Sequence, residues 1–102
     1  MLRQDVADRH GKLLQELNEE RVAALTRISR TLEALLAQLQ VSRERLDELH
    51  GEERAAEAAH YREVRERART YRWYLEVQRE ALGIRHHHRL DEFYKVPPAI
   101  EL

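Results

Sequence analysis

The sequence predicts an all-α fold in which two long helices pack side by side, and three observations support it. Large apolar residues recur in steps of three and four between residues 25 and 49. One helix cannot bury such a seam alone, so a second helix must cover it. Charged residues make up 36% of the 102-residue chain, as in long helices and coiled coils. The last two of the three glycines fall where helices would end.

The first predicted helix runs from about residue 2 to residue 49. In its second half the seam consists of Leu25, Ile28, Leu32, Leu35, Leu39, Leu46 and Leu49, with Ser42 as the one interruption. The first half has a different spacing, carried by Val6, His10, Leu13, Leu17, Arg21, Ala24 and Ile28. That spacing is closer to an eleven-residue repeat than to heptads. We therefore expect the first third of the helix to pack differently from the rest.

The second predicted helix covers about residues 52–82. Glu52 and Glu53 favour a helix start there, because carboxylates stabilise helix N-termini. Its seam consists of Tyr61, Val64, Ala68, Tyr71, Leu75, Gln78 and Leu82. Two interpretations of Gly51 remain open. We favour a hairpin turn, because the seams on either side do not join in strict heptads. The alternative is one continuous helix, since a glycine costs only about 1 kcal/mol inside a helix.

Residues 84–102 form a C-terminal tail that differs from the long helical hairpin of residues 1–83. Helical spacing relates Leu90, Phe93 and Tyr94. We expect a short helix there, followed by an extended arm, because Pro97 and Pro98 exclude the preceding residues from the α conformation. The arm carries the apolar residues Val96, Ile100 and Leu102. They favour docking onto the chain's own helices or onto a partner, with a frayed terminus as the alternative.

The unequal lengths of the two helices predict self-association. A hairpin leaves the N-terminal part of the first helix uncovered unless the tail or a second copy covers it. Two helices also bury little apolar surface for independent stability. We expect two hairpins to combine into a four-helix bundle.

Composition excludes several classes of protein. The formal net charge of −1 gives no overall field that would attract nucleic acid or an anionic membrane. Without cysteine the chain has no disulfide and no thiolate metal site. The N-terminus has no apolar signal region, and no segment has the roughly 18 apolar residues of a membrane span. We therefore expect a soluble, cytoplasmic protein.

No enzyme signature is present, and the sequence favours a non-catalytic oligomerisation or adaptor protein without a cofactor. Five of the six aromatic residues lie between Tyr71 and Tyr94. One interpretation is a second small core, in which Phe93 and Tyr94 pack on Trp73. The other is a partner-binding surface with Trp73 as its anchor, since Trp, Tyr and Arg dominate binding hot spots. The predicted partner-binding residues are Arg69, Arg72, Trp73, Val77, Phe93 and Tyr94.

A basic edge runs beside these aromatic residues. It consists of Arg62, Arg65, Arg69, Arg72 and Arg79, with glutamates interleaved. Most such edges are solvated or pair with acidic residues across a coiled coil. Of the possible partners, an acidic protein therefore fits better than a nucleic acid.

A metal site is the alternative function. Asp47 with His50, and Glu57 with His60, each place a carboxylate and an imidazole one helical turn apart. This spacing resembles the Glu-x-x-His pairs of ferritin-like di-iron proteins, although Asp47 stands where that family has Glu. The resemblance covers eight residues. It implies a di-metal site for iron or zinc, formed across a dimer, in which Glu57 and His60 point into the bundle.

Overall fold

The fold is all-α, as predicted, with two long antiparallel helices and a short third one. The computed structural model describes residues 2–100. Helix α1 spans Leu2–Glu48, α2 spans Gly51–Ala81 and α3 spans His88–Phe93. Residues 2–100 contain no strand. The molecule is elongated, with dimensions of 75 × 22 × 15 Å.

The chain reverses direction at Gly51, which confirms the hairpin and excludes the continuous helix. His50 is extended, with φ −138° and ψ 159°, and Gly51 has φ +61°. That left-handed conformation is accessible to glycine with little strain. At the other end of α2, Gly83 has φ +86°. The Gly83 and Ile84 amides donate to the carbonyl oxygens of Glu80 and Arg79, a Schellman arrangement that satisfies the last helical carbonyls.

The core lies between the two predicted seams. Its buried residues are Leu32, Leu35, Leu39 and Leu46 on α1, Ala58, Tyr61, Val64, Ala68 and Leu75 on α2, and Leu90 on α3. Ser42 is also buried, at 2% exposure, and its hydroxyl has no hydrogen-bond partner among the described residues. The heptad spacing therefore identified the packed face of both helices. It also identified Ser42 as the polar position within that face.

The C-terminal tail folds back along α2 toward the hairpin turn. The Tyr61 hydroxyl donates to the Pro98 carbonyl at 2.8 Å, and Arg65 Nε donates to the Pro97 carbonyl at 2.9 Å. Val96 and Ile100 pack against the core. The expected docking onto the chain's own helices is confirmed for these two residues, whereas Leu102 lies outside the described residues.

The N-terminal part of α1 extends beyond the end of α2. Arg21 Nη1 donates to the Ala81 carbonyl at 3.4 Å, so α2 ends opposite Arg21. Every residue from 3 to 23 is exposed, because the tail runs in the other direction. We call residues 3–20 the N-terminal arm. No helix in the described part of the chain is long and apolar enough to cross a membrane.

Candidate interaction surface around Trp73

An open groove lies between α2 and the C-terminal tail. It has a volume of about 610 Å³. Its lining residues are Arg65, Arg69, Arg72, Trp73, Glu76, Asp91, Lys95 and Val96. Four of these are basic and two are acidic, so the groove has a local excess of positive charge. Residues that share one face of α2 form one wall of the groove, and residues of the C-terminal tail form the other.

Trp73 is a lining residue that faces solvent, whereas the exposed Phe93 and Val77 do not line the groove. Trp73 is 59% exposed, Phe93 is 71% exposed and Val77 is 40% exposed. Trp73 contacts the neighbouring Tyr74, with ring centroids 5.6 Å apart. Phe93 forms no aromatic pair with Trp73. The second small core that the sequence allowed is therefore absent, because α3 turns Leu90 rather than Phe93 toward the hairpin.

The basic residues of the groove differ in how firmly they are held. Arg72 bonds to Glu76 on its own helix at 2.8 Å and also to Asp91 on α3. It thus ties α3 to α2. Arg69 is exposed and pairs with Glu66 one turn earlier at 3.0 Å. Exposed pairs of this kind contribute little and exchange readily, so the Arg69 guanidinium is the more accessible of the two.

Tyr94 contacts α1 rather than the groove. Its hydroxyl donates to the Glu33 carboxylate at 3.1 Å, and the ring packs against the core. Burial and the adjacent Glu33 carboxylate raise the pKa of Tyr94 above its ordinary value. Of the predicted partner-binding residues, the structure brings Arg69, Arg72 and Trp73 together as lining residues. Tyr94 instead helps to fix the tail.

Sequence reasoning did not identify Asp91 and Lys95 as residues of this groove. Both belong to the tail, which reaches the groove only by folding back over α2. The hydrogen bonds that hold it there end on the carbonyls of Pro97 and Pro98. Backbone acceptors leave no pattern in a sequence, so no signal revealed this pairing.

None of the predicted metal-ligating residues lies in the core of the hairpin. Asp47, His50 and His60 are exposed, and Glu57 is half-buried. His60 is not directed into the core of the single hairpin, because the next residue, Tyr61, occupies the inward position. No cluster of three or more His, Asp or Glu within residues 2–100 could hold a metal ion. A di-metal site formed with a second copy stays a prediction.

The three histidines before α3, residues 86–88, do not all point the same way. The rings of His86 and His88 stack with centroids 4.9 Å apart. His87 points elsewhere, with Nε2 at 3.0 Å from a carboxylate oxygen of Glu80. Neighbouring imidazoles therefore have different surroundings.

Compared with known proteins, the chain matches no family model, no curated protein and no solved structure. The functional argument therefore depends on its own surfaces.

Proposed function

We propose that the protein is a small non-catalytic helical adaptor that binds an acidic segment of a protein partner in the groove around Trp73. The observation that carries this proposal is the exposure of Trp73 in a groove with excess positive charge. Self-association through the uncovered part of α1 is the second part of the proposal.

The apolar residues would supply most of the affinity. Burying one large apolar side chain contributes about 1.5–3 kcal/mol. Trp73 remains largely hydrated in the isolated chain, at 59% exposure, so much of that free energy is still available to a partner. Trp is also among the residues that dominate interface hot spots.

The charged residues would supply selectivity. Arg72 is held by Glu76 and Asp91, whereas Arg69 and Lys95 are exposed at the surface. Carboxylates of a partner could replace the weak Arg69–Glu66 pair with little loss. Charge complementarity of this kind mainly increases the association rate and excludes partners of the wrong charge.

The groove is also held in shape before a partner binds. The Tyr61–Pro98 and Arg65–Pro97 hydrogen bonds fix the tail, and the Arg72–Asp91 contact fixes α3. A partner would therefore order few additional residues, which lowers the entropic cost of association.

Peptide selection tests this proposal and does not require the natural partner to be identified first. A random peptide library displayed on phage would be selected against the protein, and labelled peptides would then be titrated by fluorescence anisotropy. We expect the selected peptides to combine Asp or Glu with apolar residues. Their affinity should fall about tenfold or more in Trp73→Ala and in Arg69→Glu.

Val41→Ala is the matched control, since Val41 is 54% exposed on α1 and lies outside the groove. It should bind the peptides as the unchanged protein does. Selected peptides that bind Trp73→Ala, Arg69→Glu and the unchanged protein equally would refute the proposed site.

A further inference from the structure

The N-terminal arm, residues 3–20, exposes an apolar stripe that no other part of residues 2–100 covers. Val6 is 63% exposed, Leu13 54%, Leu14 49% and Leu17 40%. The stripe lies on the same side of α1 as the hairpin seam, because Arg21, the next residue in the series, reaches the end of α2.

A lone helix of this length has little stability of its own. The arm is about 27 Å long, and isolated helices of some 15 residues are marginal in water. Gly11 lowers that stability further, because glycine in a helix interior costs about 1 kcal/mol relative to alanine. The arm therefore has both an apolar face and a thermodynamic reason to be covered.

We propose that a second copy of this chain covers the arm, with the two arms antiparallel and centred between residues 11 and 12. This inference deepens the self-association part of the proposed function and rests on it. In this register, facing seam residues have numbers that add up to 23. Val6 meets the partner's Leu17, and His10 meets the partner's Leu13. Each contact occurs twice by symmetry, as in any two-fold dimer.

The flanking positions match in the same register. On one edge of the seam the facing numbers add up to 25, so Arg9 faces the partner's Glu16 and two symmetric ion pairs form. On the other edge the facing numbers add up to 21, so Ala7 faces the partner's Leu14, which extends the apolar contact. Residues at these flanking positions set partner choice and orientation in coiled coils.

The ends of the arm distinguish the antiparallel from the parallel arrangement. Antiparallel arms place Arg3 opposite the partner's Glu20 at both ends. Parallel arms in register would place Arg3 opposite Arg3 and Glu20 opposite Glu20. Like charges across a seam are destabilising, so the sequence of the arm favours the antiparallel pair.

The open part of the α1 seam coincides with the N-terminal arm. Because α2 ends opposite Arg21, the seam of α1 is open from residue 20 toward the N-terminus. A partner arm packed on this part of the seam would continue the line of α2 along the same face of α1.

A charge exchange tests the register. Arg9→Glu and Glu16→Arg should each raise the dimer dissociation constant about tenfold, since each variant puts like charges at two symmetric contacts. The double variant Arg9→Glu/Glu16→Arg should restore the dissociation constant of the unchanged protein. Residues 9 and 16 are about 10 Å apart along one helix, so the rescue cannot arise within one chain. Asp8→Arg, on the outer face of the arm, is the control and should leave the constant unchanged. Analytical ultracentrifugation measures all four.

Cysteine pairing gives a second, independent measurement. The natural chain has no cysteine, so Val6→Cys and Leu17→Cys each carry one thiol. Mixed and oxidised in a glutathione buffer, they should form the Val6→Cys to Leu17→Cys disulfide in preference to either homodimer. Preferential homodimers would mean parallel arms and overturn the inference.

Two further outcomes would also overturn it, and they differ in what they say about the proposed function. A dimer that none of the arm variants weakens would show that copies associate through another surface, and self-association would stand. A chain that is monomeric at millimolar concentration would remove self-association as well. Peptide binding at the Trp73 groove is measured separately and is affected by neither outcome.

Discussion

Individual side chains show where the hairpin loses stability and where its tail is held. Ser42 occupies a seam position between two leucine layers, with its hydroxyl buried and unpaired among the described residues. A buried polar group without a partner costs about 1–3 kcal/mol. The interruption that the heptad spacing revealed is therefore a weak point of the core.

Ser42→Ala should stabilise the protein. Removing the unpaired hydroxyl is expected to raise the free energy of unfolding by about 1 kcal/mol. Urea denaturation followed by circular dichroism measures this free energy of unfolding. Thr70→Ala is the control for helix propensity, since Thr70 is exposed and its hydroxyl is satisfied by the Glu66 carbonyl at 3.1 Å. An increase for Ser42→Ala no greater than that of Thr70→Ala would contradict the account.

Tyr94 should make stability depend on pH in the alkaline range. Its pKa is raised in the folded state, chiefly by burial and also by Glu33. Its contribution is therefore complete below the ordinary pKa of about 10 and is lost as pH rises through the raised value. At pH 8, Tyr94→Phe should lower the free energy of unfolding by about 0.5–1 kcal/mol, the worth of one hydrogen bond.

The comparison is made again at about pH 11, above the ordinary pKa of tyrosine. There the difference between the two proteins should be smaller than at pH 8, because Tyr94 ionises in the unfolded chain at its ordinary pKa while the folded state resists ionisation. A difference that is the same at both pH values would show that the Tyr94–Glu33 hydrogen bond does not hold the tail.

Among the structural elements, glycine destabilises the helical N-terminal arm but favours the conformation of the turn. Gly11 is helical with open space around the position of a Cβ, whereas Gly51 has φ +61°. Alanine at position 11 should therefore stabilise the arm by about 0.5–1 kcal/mol. Alanine at position 51 should destabilise the hairpin by about 1–2 kcal/mol, because a Cβ is strained there.

Hydrogen exchange checks both substitutions. Gly11→Ala should slow amide exchange in residues 5–17 and leave the hairpin amides unchanged. Gly51→Ala should speed exchange at the ends of α1 and α2 that meet at the turn. Faster exchange in the arm of Gly11→Ala would contradict the helical, uncovered arm described above.

The two long helices and their packing were predictable from the spacing of the apolar residues. The two seams identified both helices and their buried faces, and Gly51 and Gly83 identified their ends. The surroundings of Trp73 and Phe93 were not predictable. They depend on which face α3 turns toward α2, and the Arg72–Asp91 contact that sets it joins residues 19 apart.

The rotation of α2 about its axis decides which of the predicted metal ligands face the core. A carboxylate and a histidine three residues apart share a helix face, but the face itself is set by the neighbours. Tyr61 and Ala58 occupy the buried positions, so His60 is exposed and Glu57 is half-buried. The carboxylate–histidine spacing does not give this rotation, whereas the seam residue Tyr61 does.

For the whole molecule, the elongated shape separates two surfaces. The groove around Trp73 lies where α2 and the tail pack, and the N-terminal arm projects beyond the end of α2. An antiparallel pair of arms would leave both grooves of a dimer open. Two linked grooves would bind a partner with two acidic segments more tightly than one groove alone.

The fluorescence of Trp73 tests the central claim most directly, because it is the only tryptophan of the chain. A selected acidic peptide without tryptophan or tyrosine would be titrated into the unchanged protein. The proposed function predicts a blue shift of the emission maximum that saturates with the same dissociation constant as binding, as the exposed indole becomes buried. Saturable binding with no change in the Trp73 emission would contradict it, since the partner would then occupy another surface.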